Sequence, residues 1–177
     1  MGATPVNNDI YLQRITIENG LEWDNELPVA RGSFYDNLSF VPDNTESRLT
    51  VDLNGNAYVT WMNDSIVEGE YDISIQLISS NGDISFNENG LIVSDADKRQ
   101  ESPIVRSDNF GGAFVVWGDK RNGSIGIYAQ HIQSDGSISL LDDGKEFYWG
   151  IDGNTVSSYA NKPSALYMGN NQLAVSW

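Results

Sequence analysis

The chain has 177 residues, with 25 acidic side chains against 10 basic, one histidine and no cysteine. That length fits one ordinary domain, and 40% apolar content with 11% aromatics marks a folded chain in spite of a net charge of −15. Ten Lys and Arg in so negative a field exclude a phosphate-binding stripe for nucleic acid or anionic lipid, the missing cysteine excludes disulfides and thiolate chemistry, and no apolar run approaches a membrane helix in length.

Met1-Gly2-Ala3-Thr4-Pro5 lacks the basic start and apolar stretch of a signal peptide. The first strand is expected at Asp9-Ile-Tyr-Leu-Gln13, followed by a turn at Asn19-Gly20 and by Trp23. A connection carrying Phe34-Tyr35 leads to Asp52-Leu-Asn-Gly-Asn-Ala-Tyr-Val-Thr-Trp61. There Ala57, Val59 and Trp61 alternate with Tyr58 and Thr60, the period of a strand with two apolar faces. Asp72-Ile-Ser-Ile-Gln76 is a further strand ahead of Asn81-Gly82. The series then recurs as Asp108-Asn-Phe-Gly-Gly-Ala-Phe-Val-Val-Trp117, Gly126-Ile-Tyr-Ala-Gln130 and Asp135-Gly136. A second aromatic connection (Phe147-Tyr148-Trp149, with Tyr159) precedes Met168-Gly-Asn-Asn-Gln-Leu-Ala-Val-Ser-Trp177. The Asn-Gly, Gly-Gly and Asp-Gly pairs supply the positive φ of tight hairpins, and no stretch has helical periodicity. The chain is expected to be all-β.

Trp61, Trp117 and Trp177 are spaced by 56 and 60 residues, and Gln13, Gln76 and Gln130 recur between them. Four short strands per unit of this length is the pattern of a β-propeller blade, with the tryptophan packed between neighbouring sheets. A β-sandwich is the alternative, but it gives no reason for a repeated tryptophan. The expected units are 9–46 (half a blade plus a connection), 47–99, 100–160 and 161–177 (half a blade), making two whole and two half blades. So few blades do not close a ring. Blades of a longer parent chain, or a second copy joining leading to trailing strands, are the two ways to complete one.

The middle unit carries the clearest signature: Ser102-Pro103, Asp108-x-x-Gly-Gly112, Trp117-x-Asp-x-Arg121, then Ile127-Tyr-Ala-Gln130. It resembles the propeller-like repeats of large secreted and cell-surface bacterial proteins, many of them from Bacteroidota. The first unit departs from that pattern, with Trp61-Met-Asn-Asp64 and no arginine. The resemblance implies an exported, non-enzymatic, extracellular or cell-surface module that binds protein or carbohydrate in adhesion or within a surface complex.

Residues that recur in every unit serve what every unit needs, so the three tryptophans and three glutamines are read as structural, each glutamine bonding backbone. Features unique to one unit are the candidates for binding. By the resemblance, the aromatic connections share a face with the loop after each tryptophan, which groups Phe34, Tyr35, Asp64, Asp119, Tyr148, Trp149 and Tyr159. Rings beside carboxylates suit a sugar, and filling the gap between blades is the competing role. Trp23 aligns by its glycine with Ser85 and Ser139 and is read as packing. His131, at a position filled by Arg14 and Leu77, is read as solvated and non-catalytic. With one histidine, an enzyme would be a carboxylate glycosidase or lyase, and no acidic pair stands out. No cofactor is implied; calcium at the oxygen-rich turns Asp52-Leu-Asn54, Asp142-Asp143 and Asp152-Gly-Asn154 is a lesser possibility, since none matches a complete calcium loop.

Overall fold

Every regular element is a β-strand in the computed structural model, which describes residues 9–31, 45–64, 70–149 and 162–177. Strand β1 (Ile10–Leu12) pairs antiparallel with β4 (Leu27–Ala30), and the short hairpin β2 (Ile15–Thr16)–β3 (Gly20–Leu21) lies between them in sequence. A four-stranded sheet follows, formed in order by β5 (Thr45–Val51), β6 (Ala57–Asp64), β7 (Tyr71–Ile78) and β8 (Leu91–Ser94). A second has β9 (Gln100–Ser107), β10 (Ala113–Asp119), β11 (Gly126–Ile132) and β12 (Lys145–Trp149). The hairpin β13 (Ser164–Gly169)–β14 (Gln172–Ser176) ends the series.

Three of the four groups repeat one another in register across their last two strands. Ile10 faces Ala30 and Leu12 faces Leu27; Ile73 faces Ser94 and Ile75 faces Leu91; Ile127 faces Tyr148 and Ala129 faces Lys145. Each time the last strand carries one extra residue, a bulge at the same place. A second bulge lies opposite each tryptophan of the full sheets, where Glu46-Ser47 face Trp61 and Ser102-Pro103 face Trp117. Both bulges open on a residue at positive φ, Glu46 at 51° and Ser102 at 55°. The distortion kinks the strand beside the largest side chain of the sheet. Pro103 is tolerated because β9 is an edge strand among the described residues, with no second neighbour there to bond.

The sheets stack in a row of four layers. Ile10, Val29 and Ala30 of the first pair pack on Val59, Trp61 and Ile78. Tyr58, Met62, Ile73, Ile75 and Leu77 pack on Val105, Val115, Trp117 and Ile132 of the second full sheet. Val116, Ile127 and Ala129 meet Ala165, Leu173 and Val175 of the last hairpin. Both full sheets are therefore covered on both faces, unlike the two layers of a sandwich. Among the described residues the row stays open and no ring closes.

Trp61 and Trp117 are buried and point towards the preceding layer in each case. Gly90 and Gly144 seal their ring edges: a Cβ on Gly90 would lie 2.5 Å from Trp61, and one on Gly144 would overlap Trp117. Trp177, expected to be buried like its counterparts, is instead 52% exposed. It follows a sheet of two strands, and Tyr148 is the ring beside it, 5.1 Å between centroids.

Strand pairing also corrects the alignment of Trp23. The bridges Ile15–Leu21, Ile78–Ile84 and Ile132–Ile138 coincide, which sets Trp23 beside Phe86 and Leu140, not Ser85 and Ser139. Trp23 then lies 3.5 Å from the Cβ position of Gly82, and Phe86 3.4 Å from that of Gly136. A large apolar residue of one layer thus covers the turn glycine of the next.

Candidate functional site

The recurring glutamines do one job. Gln76 donates from Nε2 to the Asn87 carbonyl (2.8 Å) while its Oε1 accepts from the N–H groups of Leu77 and Phe86. Gln130 repeats this with Leu141, His131 and Leu140, and Gln13 with the Trp23 carbonyl and the Arg14 N–H. Each amide, buried at Gln76 and Gln130 and half-buried at Gln13, ties its strand to the loop beyond it.

Among the residues expected to form a ligand face, Phe34, Tyr35 and Tyr159 lie outside the described residues, as do the side chains of Asp64 and Trp149 at the ends of β6 and β12. Asp119 departs from the expected role. Its carboxylate is buried and saturated: Oδ1 accepts from the backbone N–H and Nε of Arg121, and Oδ2 from Trp117 Nε1 (2.9 Å) and Arg121 Nη2 (2.6 Å). Trp117 and Asp119 are two residues apart, so the strand sets both on one face. The guanidinium also donates to Ser94 Oγ and the Asp143 carbonyl, and lies 4.2 Å above the Tyr128 ring. Burial works against its charge, but the hydrogen bond and charge of Asp119 outweigh that and raise its pKa. Tyr128 in turn donates to Glu146 (3.0 Å), and burial together with that carboxylate pushes its hydroxyl up to about 12. Tyr148 is half-exposed, with its ring tilted against that of Trp177.

The oxygen-rich turns are also occupied. Asp52 Oδ1 accepts from the N–H groups of Asn54 and Asn56, and Oδ2 from Asn56 Nδ2. Asp143 accepts from the Asp95 N–H, and burial, with the Asp143 carboxylate close by, raises the Asp95 pKa. Asp152 and Asn154 lie outside the described residues.

A cleft of about 540 Å³ opens at the opposite end of the second full sheet, between the β9–β10 turn and the β13–β14 turn. At its base Asp108 Oδ1 accepts from the N–H groups of Phe110 and Gly112, and Oδ2 lies 2.8 Å from His131 Nε2. His131, expected to be solvated, is held with only 16% of its side chain exposed, its Nδ1 3.0 Å from Ser139 Oγ. Gly112 makes this pairing possible, since a Cβ there would meet Asp108 at 2.5 Å and His131 at 2.9 Å. Asn56 holds the same place in the first full sheet and satisfies Asp52 from within its own turn. The Asn-to-Gly and Leu-to-His differences between the two sheets are therefore one change: the cross-strand imidazole replaces the local amide.

Burial of Asp108 disfavours its charge, but the Phe110 N–H, His131 and the Gly112 N–H more than offset that and lower its pKa. An unfolded aspartate titrates near ~4, so the carboxylate stabilises the fold fully above that pH and less as pH falls through its depressed folded value. Asp108→Asn presents an amide N–H to the His131 N–H or, flipped, loses both turn bonds to Oδ1. It is expected to lower the urea midpoint at pH 7, with the gap from wild type narrowing below about pH 4. A gap unchanged down to pH 2 would contradict this.

The series Ser139–His131–Asp108 has the members of a hydrolytic triad but not its surroundings. The Ser139 N–H is bonded to the His131 carbonyl and the Leu140 N–H to Gln130 Oε1, so neither can stabilise an oxyanion at Ser139. Comparison with protein-family models, with curated proteins and with solved structures gives no match for this chain.

Proposed function

We propose that the chain is a β-propeller-type repeat module, extracellular or on a bacterial cell surface, that binds protein or glycan partners and does not turn them over. The observation that carries this reading is the use of the buried polar residues. The recurring glutamines, and Asp119 of the second full sheet, are consumed in holding strands and loops together. The antiparallel order of the full sheets, their face-to-face stacking and the tryptophan on the second strand favour blades. The pairs β13–β14 and β1–β4 take the places of the first and last two strands of a blade. Blades of a parent chain or a second copy would complete the ring, with Trp177 brought opposite Tyr11 as Trp117 is opposite Tyr128.

Incubation with a panel of plant and microbial polysaccharides, read for both retention and newly released ends, tests the assignment. Polymer retained intact is the expected result. Release of reducing or unsaturated ends that a single Asp or Glu substitution abolishes would make the chain a glycosidase or lyase.

A further inference from the structure

We infer that the cleft between the β9–β10 and β13–β14 turns is a binding site for a neutral saccharide. This rests on the reading of the chain as a binding module and moves the site away from the aromatic connections. Phe110, at the rim, is 81% exposed. It stands where the first full sheet has Asn54, a residue fit for a turn, so turn formation does not account for a phenyl ring in water. Facing it across the cleft are Asn170 and Asn171, both at positive φ, which holds the two residues in a fixed tight turn. Gln133 and Ser134 close the remaining side. No described residue bonds the side-chain amides of Asn170 and Asn171, and Gln133 makes a single long contact of 3.4 Å to Ser139. The cleft thus offers free amide donors and acceptors around an exposed ring, the pairing that takes sugar hydroxyls on one side and a sugar C–H face on the other.

Charge and occupancy choose among ligands of that size. The net charge of −15 disfavours an anion. A cation needs a free carboxylate, but the Asp108 oxygens already serve two N–H groups and His131. Both nitrogens of His131 are likewise engaged, which leaves no lone pair for a metal. Asp108 and His131 act as positioning residues that brace the turn bearing Phe110. What remains is a neutral, hydroxyl-rich molecule.

His131 is the sole histidine, so its ring-proton NMR signals report on this cleft alone. Titration of the full chain with cellohexaose, maltohexaose and xylohexaose, with oligogalacturonate as the anionic comparison, is expected to shift those signals for at least one neutral sugar. Phe110→Asn installs the residue of the first full sheet and is expected to leave folding intact while weakening that sugar by about five- to tenfold. A sugar that binds by calorimetry without moving the His131 signals, or equally well in Phe110→Asn, would overturn the cleft and leave the binding module standing. No shift with any neutral sugar, or a shift with oligogalacturonate alone, would overturn the ligand class. Cleavage of the added oligosaccharide would instead overturn the module reading itself.

Discussion

Trp117→Ala is expected to cost about 4 kcal/mol, a fall in melting temperature of roughly 10 °C for a chain of this size, whereas Trp177→Ala should cost under about 1 kcal/mol. The two residues occupy the same place in the repeat, so composition and pattern give them equal weight. Their surroundings do not. Trp117 is buried between two full sheets, is stacked at 6.2 Å on Tyr128, donates to Asp119 and is closed at its edge by Gly144. Removing it opens a cavity into which Gly144 and the bulge at Ser102-Pro103 cannot collapse without giving up their own backbone geometry. Trp177 meets water on one side and Tyr148 on the other. Urea unfolding of both variants decides the matter: equal losses would mean that the layers do not seal the rings as described. The same pair probes the completion of blades. Where a second copy supplies the missing strands, Trp177→Ala should reduce the associated mass seen by light scattering and leave monomer unfolding unchanged.

The sequence carried the strands, because a period of two and glycine pairs act over a few residues and need no tertiary information. It carried the repeat for the same reason: Trp61 and Trp117, and Gln76 and Gln130, each meet the same local surroundings. What stayed hidden depends on which strand residue faces which. The bulges at Glu46 and Ser102 insert residues that a count from one tryptophan to the next does not locate. They use Glu and Ser at positive φ, where pattern leads one to look for Gly. Alignment by glycine misplaces Trp23, because Gly20 sits one position later in its hairpin than Gly82 and Gly136, while the strand bridges keep constant spacing.

The candidate site was less legible for a related reason. Asp108 and His131 are 23 residues apart and meet only through the β10–β11 register, which places His131 opposite Phe114. One signal was available in the sequence. Gly112 replaces Asn56 in the same unit where His131 replaces Leu77, and paired departures from a repeat point to a contact. The aromatic connections are conspicuous in the sequence because rings and carboxylates stand out there. Yet a carboxylate two residues after a buried tryptophan shares its face, and is placed to serve the indole before any ligand.

Asp119→Ala tests that distinction. Removing one member of a buried ion pair costs about 3–5 kcal/mol, because the partner keeps its charge and loses its compensation. The expected loss is about 3 kcal/mol, at the lower end of that range, since Arg121 retains one fifth of its side chain in water and keeps its bonds to Ser94 and the Asp143 carbonyl. Trp117 Nε1 loses its acceptor at the same time. The double substitution Asp119→Leu with Arg121→Met removes both charges and fills the same space. It should recover part of the loss, because two apolar groups in place of the buried pair leave no uncompensated charge, although Trp117 Nε1 and the Arg121 N–H still lack the acceptor that Asp119 gave them. If instead Asp119→Ala leaves the urea midpoint at the wild-type value while weakening a bound saccharide, Asp119 belongs to a ligand face. Full loss in the single variant and partial recovery in the double place it in the structural core, where the four donors around its two oxygens already put it.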